Sequence, residues 1–390
     1  MVAKEEVELK EHISLGGVVA TIGSILIALG IAWLIGLNWN VIPSALKILI
    51  LVIITAGAYT AGVLFRIKDY DKIGGSLLVL GALSYTLSIF LIAQIFNLST
   101  SLQLNAFLLL LSWGGILFAA YIFDSSPSLI VALVEFLIWI SLQYFSFVEL
   151  FRGDFSVGIL VIIYLIVAVG LYGLTQLHKS MNHEFSGIYR YWTAFYILAL
   201  TYVLSFQILL PALWPEGFVL SAEVLIFLII ISVVAIVLAI IGIYRAVSKN
   251  KLSGKEVLSF VILVLVYILL ITLASFVSGE SVFSGSLSMG LWFMWLFDNF
   301  LFILVILAVI GYGTRYKSAK IVNLAIIFFA LDIVTRYIGF VMDFGGQIGF
   351  AVMSILGGII LIAGGWGIEK WRRHLVEKTN KKAQQNYAVY

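Results

Sequence analysis

The sequence predicts an all-α membrane protein: a polytopic bundle of about twelve transmembrane helices, within a range of ten to twelve, with both termini in the cytoplasm. Three observations predict it. The chain is 63% hydrophobic and only 11% charged, whereas a soluble globular chain carries about 25% charged residues. So few charges cannot cover a water-facing surface. Apolar runs longer than the about 18 residues that mark a spanning helix recur along the chain. They are long and hold few of its four prolines, whereas barrel strands would alternate polar and apolar residues over much shorter lengths.

The spans read as 17–36, 46–65, 74–96, 104–123, 128–148, 156–177, 192–211, 222–244, 257–277, 292–313, 319–341 and 347–368. They form a single transmembrane domain, 1–368, followed by a basic cytoplasmic tail, 369–390. Met1 to His12 hold four glutamates and two lysines. A cleavable signal peptide has a basic start and a short apolar core, so the first span is expected to be retained. The shortest connection is the Asp124–Pro127 turn. The longest inner loops are 178–191, which divides the spans six and six, and 245–256.

Orientation follows from the basic residues, which accumulate on the cytoplasmic side of membrane proteins. With the amino terminus inside, 20 of the 23 Lys and Arg residues fall in the cytoplasm. Lys47 and Arg152 fall outside, and Arg336 lies within a span. Trp39, Trp192, Trp214, Trp292, Trp366 and Trp371 fall near span ends, where amphipathic rings anchor at the headgroups. Trp371, Arg372, Arg373 and Lys378 in the tail either lie on an anionic inner leaflet or are simply solvated.

An offset of 58 aligns Gly16, Gly17 and Gly23 with Gly74, Gly75 and Gly81, and Gly57, Ala61 and Phe65 with Gly115, Ala119 and Phe123. This marks a candidate two-span repeat, 16–65 and 74–123. Small residues let membrane helices approach closely. Gly57 with Ala61, Ala58 with Gly62, and Ser354 with Gly358 have the four-residue spacing for it.

Ionisable groups deep in a bilayer are costly and mark functional candidates. Glu135, Asp298, Asp332 and Arg336 are the deep ones, with Glu223 and Asp343 nearer outer span ends. Asp332 and Arg336, four apart, share a helix face. They form either a structural ion pair that clamps the eleventh span or a gating or substrate-binding charge pair. Asp298, in the outer third of the tenth span, is a second candidate partner for Arg336. Glu135 is a candidate protonatable group, for a proton-coupled step or for a quiet hydrogen bond to a neighbouring helix. Asn38 and Asn40 end the first span, and Gln94 and Asn97 the third. Either these amides cap helix ends or they line an outward-facing polar pocket with Asp298 and Arg336.

No catalytic residue, metal site or cofactor is expected. The chain has no cysteine, no phosphate loop, no dinucleotide-binding glycine motif and no His-Glu zinc helix. His178, His183 and Glu184 are neighbours in an inner loop and read as solvated. Nucleic acid is not an expected partner, because no soluble domain carries a basic face.

Gly30 to Asn40 and Pro43, with Gly74-Gly75 and Gln94-Ile95, resemble the domain-of-unknown-function 2157 family of prokaryotic multi-span membrane proteins. That family shows a glycine-rich first span ending in an Asn-Trp turn, and a third span that opens on paired glycines and ends in a Gln-Ile or Gln-Val element. The resemblance covers roughly residues 16–100. Asn40 stands where an acidic residue is common, and the lead-in is short. The resemblance implies a prokaryotic cytoplasmic membrane and no particular activity. Major-facilitator transporters also have twelve spans, but their Gly-x-x-x-Asp-Arg-x-Gly-Arg-Arg loop is not matched by Arg66 to Lys72.

The leading functional expectation is a transporter or channel-like protein for a small ion or solute, with a polar site in the outer half. The alternative is a non-transporting structural or assembly subunit, or a lipid-contacting sensor. Membrane lipids are partners under either; the oligomeric state is open. The topology is testable. A reporter fused after Lys382 is expected to read cytoplasmic; an external reading would mean an odd span count.

Overall fold

A backbone surrounded by hydrocarbon must satisfy its own N–H and C=O groups, so long apolar segments become helices. The computed structural model describes residues 42–98, 101–151, 154–215, 217–277 and 289–343, with isolated positions between 22 and 37 and between 355 and 370. The chain divides into two compact units, 1–153 and 154–390.

The first unit contains α1 (Ser44–Ile67), α2 (Asp71–Ile95), α3 (Leu102–Ile122) and α4 (Ser126–Leu150). The second contains α5 (Val157–Met181), α6 (Phe185–Leu204), a 3-10 turn (Gln207–Leu209), α7 (Leu210–Leu213), α8 (Ala222–Ser248), α9 (Gly254–Val277), α10 (Met289–Arg315) and α11 (Ala319–Asp343). Each expected span from the second to the eleventh has its helix. The expected first span, 17–36, is described only in part, and the twelfth, 347–368, and the tail lie outside the described residues apart from isolated positions. Among the described residues nine helices are long and apolar enough to cross a membrane, α1 to α5 and α8 to α11. α6 has the length, but Arg190 and its tyrosines dilute its apolar character.

The helix ends share one chemistry. Asp69, Asn97, Asp124, Asn182, Asn250 and Lys317 all take left-handed backbone at φ +46° to +63°. Behind each, the next N–H reaches back five residues, as Tyr70 to Phe65 O at 2.9 Å and Ser318 to Gly313 O at 2.8 Å. This is the Schellman closure, which satisfies carbonyls that a helix end leaves free. Asp and Asn tolerate the left-handed conformation better than other residues with a side chain. At the helix starts, Ser101, Ser125, Ser156 and Ser221 each accept a backbone N–H through the side chain.

Ends assigned to the cytoplasm by their charge meet in the structure. In the first unit Arg66 donates to the carbonyl of Phe123 and, at 3.5 Å, to that of Asp124. In the second, Lys249 and Lys251 donate to Ser180 O, each at 3.1 Å. Arg315 donates to Ser253 Oγ at 3.2 Å.

The inner loop read as 178–191 is shorter, because α5 runs to Met181 and α6 starts at Phe185, and His178, read as solvated, is buried within α5. One span is also corrected. The seventh span, read as 192–211, ends as a helix at Leu204. After Ser205 the chain turns through Gln207–Leu209 into the four-residue α7. Pro211 has no N–H to give a continuing helix. It starts α7 instead.

Two close approaches require glycine. A Cβ on Gly74 of α2 would fall 2.7 Å from the Gly62 carbonyl of α1. A Cβ on Gly173 of α5 would fall 2.5 Å from the Ala239 nitrogen of α8, and Gly242 of α8 meets the Gly173 carbonyl in return. Gly57, by contrast, has nothing within 4 Å. Gly173→Ala is therefore expected to lower the thermal midpoint of the purified protein, at a cost on the order of 1–3 kcal/mol from overpacking. Gly57→Ala is expected to leave it unchanged; similar midpoints for the two variants would contradict the close packing of α5 on α8.

Candidate functional site

Three polar groups stand inside the helices. The first forms at the interruption after α6. Leu209 N–H bonds to Phe206 O at 3.1 Å, so the buried carbonyl of Ser205 is left without a helical donor. Arg336 of α11 fills the gap. Its Nη2 donates to Ser205 O at 2.6 Å, to Ser205 Oγ at 2.7 Å and to Asn299 Oδ1 at 2.9 Å. Its Nε lies 3.2 Å from Asp332 Oδ1, and its guanidinium carbon sits 4.9 Å from the Phe206 ring centre. Asn299 of α10 also donates to Ser205 O, at 3.3 Å, and to Trp295 O, at 2.7 Å. Tyr202 of α6 donates to Thr335 of α11 at 3.2 Å. Three helices are thus tied to one carbonyl.

The sequence named Asp332 and Arg336 but expected Asp298 as the further partner. The structure puts Asn299 there, and no ion pair joins Asp298 to Arg336. One residue along a helix turns about 100°, so Asp298 points elsewhere. It is buried, and its Oδ1 has no hydrogen-bond partner among the described residues.

The second group lies in the first unit. Glu135 of α4 is buried. Thr86 of α2 donates to its Oε1, and Ser112 Oγ of α3 lies 3.2 Å from each carboxylate oxygen. Ser112 is also 2.8 Å from Thr86 Oγ1. This node joins α2, α3 and α4 beside the packed Ala82, Ile116 and Ala132. Gln94 and Asn97 of this unit are exposed at the end of α2, where Asn97 supplies the left-handed closing residue. Its N–H bonds to Gln94 O at 3.0 Å, so the backbone closes this helix end. Asn38 and Asn40 lie outside the described residues. So does the side chain of Asp343.

The third group went unrecognised in the sequence. A cavity of about 410 Å3 lies in the second unit between α5, α6, α9 and α10. Arg190, Glu256 and Tyr312 line one end, with Thr175 and Thr193 beside them; Leu263, Val266, Leu301 and Val305 line the rest. Glu256 is buried and held by neutral donors. Tyr316 donates to its Oε2, Gln176 Nε2 lies 3.4 Å from its Oε1, and Tyr312 OH lies 3.5 Å from the same oxygen. Lys179 Nζ donates to Tyr316 OH at 2.9 Å. Burial, and then the carboxylate it serves, push the Tyr316 hydroxyl above the ordinary phenol range, so it remains a donor at neutral pH. Arg190 places its guanidinium carbon 4.2 Å from the Tyr316 ring centre. Its buried Nε has no hydrogen-bond partner. Two signals pointed here: Tyr172 with Gln176 and Tyr312 with Tyr316 are pairs at helical spacing, and Glu256 is a lone acid among Lys249, Lys251 and Lys255.

The fold and these groups define a multi-span helical membrane protein. Residues 1–129 match the family model described as "Predicted membrane protein (DUF2157)". The resemblance read over residues 16–100 therefore extends from the amino terminus into α4, and the match stops short of the second unit. No curated protein and no solved structure matches the chain.

The Arg336 group yields a graded prediction. Arg336→Gln leaves the Ser205 carbonyl with only the longer Asn299 donor and is expected to cost on the order of 2–3 kcal/mol. Asp332→Asn keeps the contacts to Ser205 and Asn299 and is expected to lower the thermal midpoint less. Arg336→Lys is not expected to restore it, because one ammonium lacks the forked donors that reach Asp332, Ser205 and Asn299 together. A larger loss in Asp332→Asn than in Arg336→Gln would contradict the carbonyl's role.

Proposed function

We propose that this integral membrane protein binds an amphiphile drawn from the surrounding bilayer, in the cavity of its second unit, and acts as a lipid-contacting sensor or assembly subunit of a prokaryotic cytoplasmic membrane. One observation carries the reading: the polarity of the cavity changes along its length in the same sense on three helices. On α6 it runs from Arg190 to Ile197, on α9 from Glu256 to Val266, and on α10 from Tyr312 to Leu301. Ten residues of helix span about 15 Å, enough to separate a polar head from an apolar chain. Pockets that bury a small ligand are typically about 300–1,000 Å3, mostly apolar, with a few placed polar groups. The polar ends of α6, α9 and α10 are those assigned to the cytoplasmic side by charge, so the head belongs at the inner leaflet.

The transport expectation draws no support from the Arg336 group. That guanidinium already bonds to protein through Asp332, Ser205 and Asn299, which suits a clamp. Exposed Ala308 lines the cavity, so Ala308→Trp fills it without disturbing a core position. A long-chain phospholipid added to the delipidated, detergent-purified protein is expected to raise the thermal midpoint of the wild type and to raise that of Ala308→Trp little. Equal shifts in the two would place binding elsewhere and overturn the reading.

A further inference from the structure

Resting on the amphiphile reading, we infer that the ligand is an anionic phospholipid, its phosphate against Arg190 and one acyl chain in the apolar part of the cavity. A guanidinium taken out of water demands an anion or a full set of hydrogen bonds, because its desolvation is otherwise uncompensated. Arg190 is partly buried, with the Tyr316 ring on one side, a buried Nε without a partner, and no ion pair among the described residues. Glu256 does not answer it. That carboxylate is engaged by Tyr316, Gln176 and Tyr312, and no ion pair joins it to Arg190 among the described residues.

The wider charge at this end is net positive. Lys179, Lys249, Lys251 and Arg315 meet there with uncharged hydrogen-bond partners, and the Glu256 carboxylate is the opposing charge near Lys179. Lys179 donates to Tyr316, and Lys249 to Ser180 O. Lys251 donates to Lys179 O at 3.2 Å and to Asn182 Oδ1 at 2.5 Å, and Arg315 to Ser253. Glu184, at the start of α6, is exposed and makes no ion pair with them. A basic pocket between membrane helices at the inner face suits an anionic headgroup, and a guanidinium suits a phosphate, which accepts two of its parallel N–H donors.

The cavity wall fits a lipid whose second chain stays outside. Ile262 and Leu304 both line the cavity and are 51% and 45% exposed. The space between α9 and α10 therefore opens on the lipid-facing surface.

The experiment uses the full chain, delipidated in neutral detergent. Phosphatidylglycerol, phosphatidylcholine with the same chains, and oleate are titrated while the thermal midpoint is followed. Phosphatidylglycerol is expected to act at about tenfold lower concentration than phosphatidylcholine, an advantage that added salt reduces. Arg190→Gln is expected to lose that advantage and keep the phosphatidylcholine response; Arg190→Lys is expected to retain part of it, which separates loss of charge from loss of fold. Equal potency of the two phospholipids on the wild type overturns the anionic headgroup and leaves the amphiphile reading standing. A response to oleate with none to phosphatidylglycerol overturns the phospholipid. No response to any of the three overturns the amphiphile reading itself.

Discussion

A charge or a bare backbone carbonyl inside a bilayer has to be answered by the protein or by something bound to it, because no water is there to do so. The two half-buried guanidinium groups of the second unit, Arg336 within a span and Arg190 near the start of α6, differ in how their charge is met. Arg336 is answered by the chain: an aspartate, a serine carbonyl, a serine hydroxyl and an asparagine all face it. Arg190 is answered only by a tyrosine ring, and it borders a cavity. The first arrangement holds helices together. The second leaves a place for a ligand.

The clamp depends on a defect in a helix. α6 ends at Leu204, the chain turns at Ser205 into the 3-10 segment, and a buried carbonyl is released. Arg336 and Asn299 then converge on that carbonyl from α11 and α10. The α6 break and the α11 cation are therefore one feature with two ends, and the helix that breaks is the same one that carries Arg190 at its other end. The clamp and the cavity sit on a shared scaffold.

Much of the fold was legible because hydrophobic runs are local. The ten central spans could be placed to within a few residues of their helices, apart from the seventh. There the apolar stretch Ile208 to Trp214 carried the hydropathy across a backbone that turns at Ser205 to Leu209. Asp332 and Arg336 were legible as a pair because four-residue spacing is itself a contact. Ser205 was not, because it lies 131 residues from Arg336. Asp298 and Asn299 differ by one position, and only packing decides which of them faces α11. Glu256 read as the end of a loop because its partners, Tyr312 and Tyr316, are 56 and 60 residues away. The glycines of α5 and α8 were visible as small residues, but which of them touch backbone required the structure.

The central claim is that Arg190 and the apolar cavity together hold a lipid that the chain itself does not supply. Native mass spectrometry of the protein released gently from its membrane tests this most directly. The account predicts one phospholipid retained per chain, of anionic headgroup mass, surviving in Arg336→Gln molecules that remain folded and lost in Arg190→Gln. A bare protein mass in the wild type, or a retained lipid equally abundant in Arg190→Gln, would contradict it.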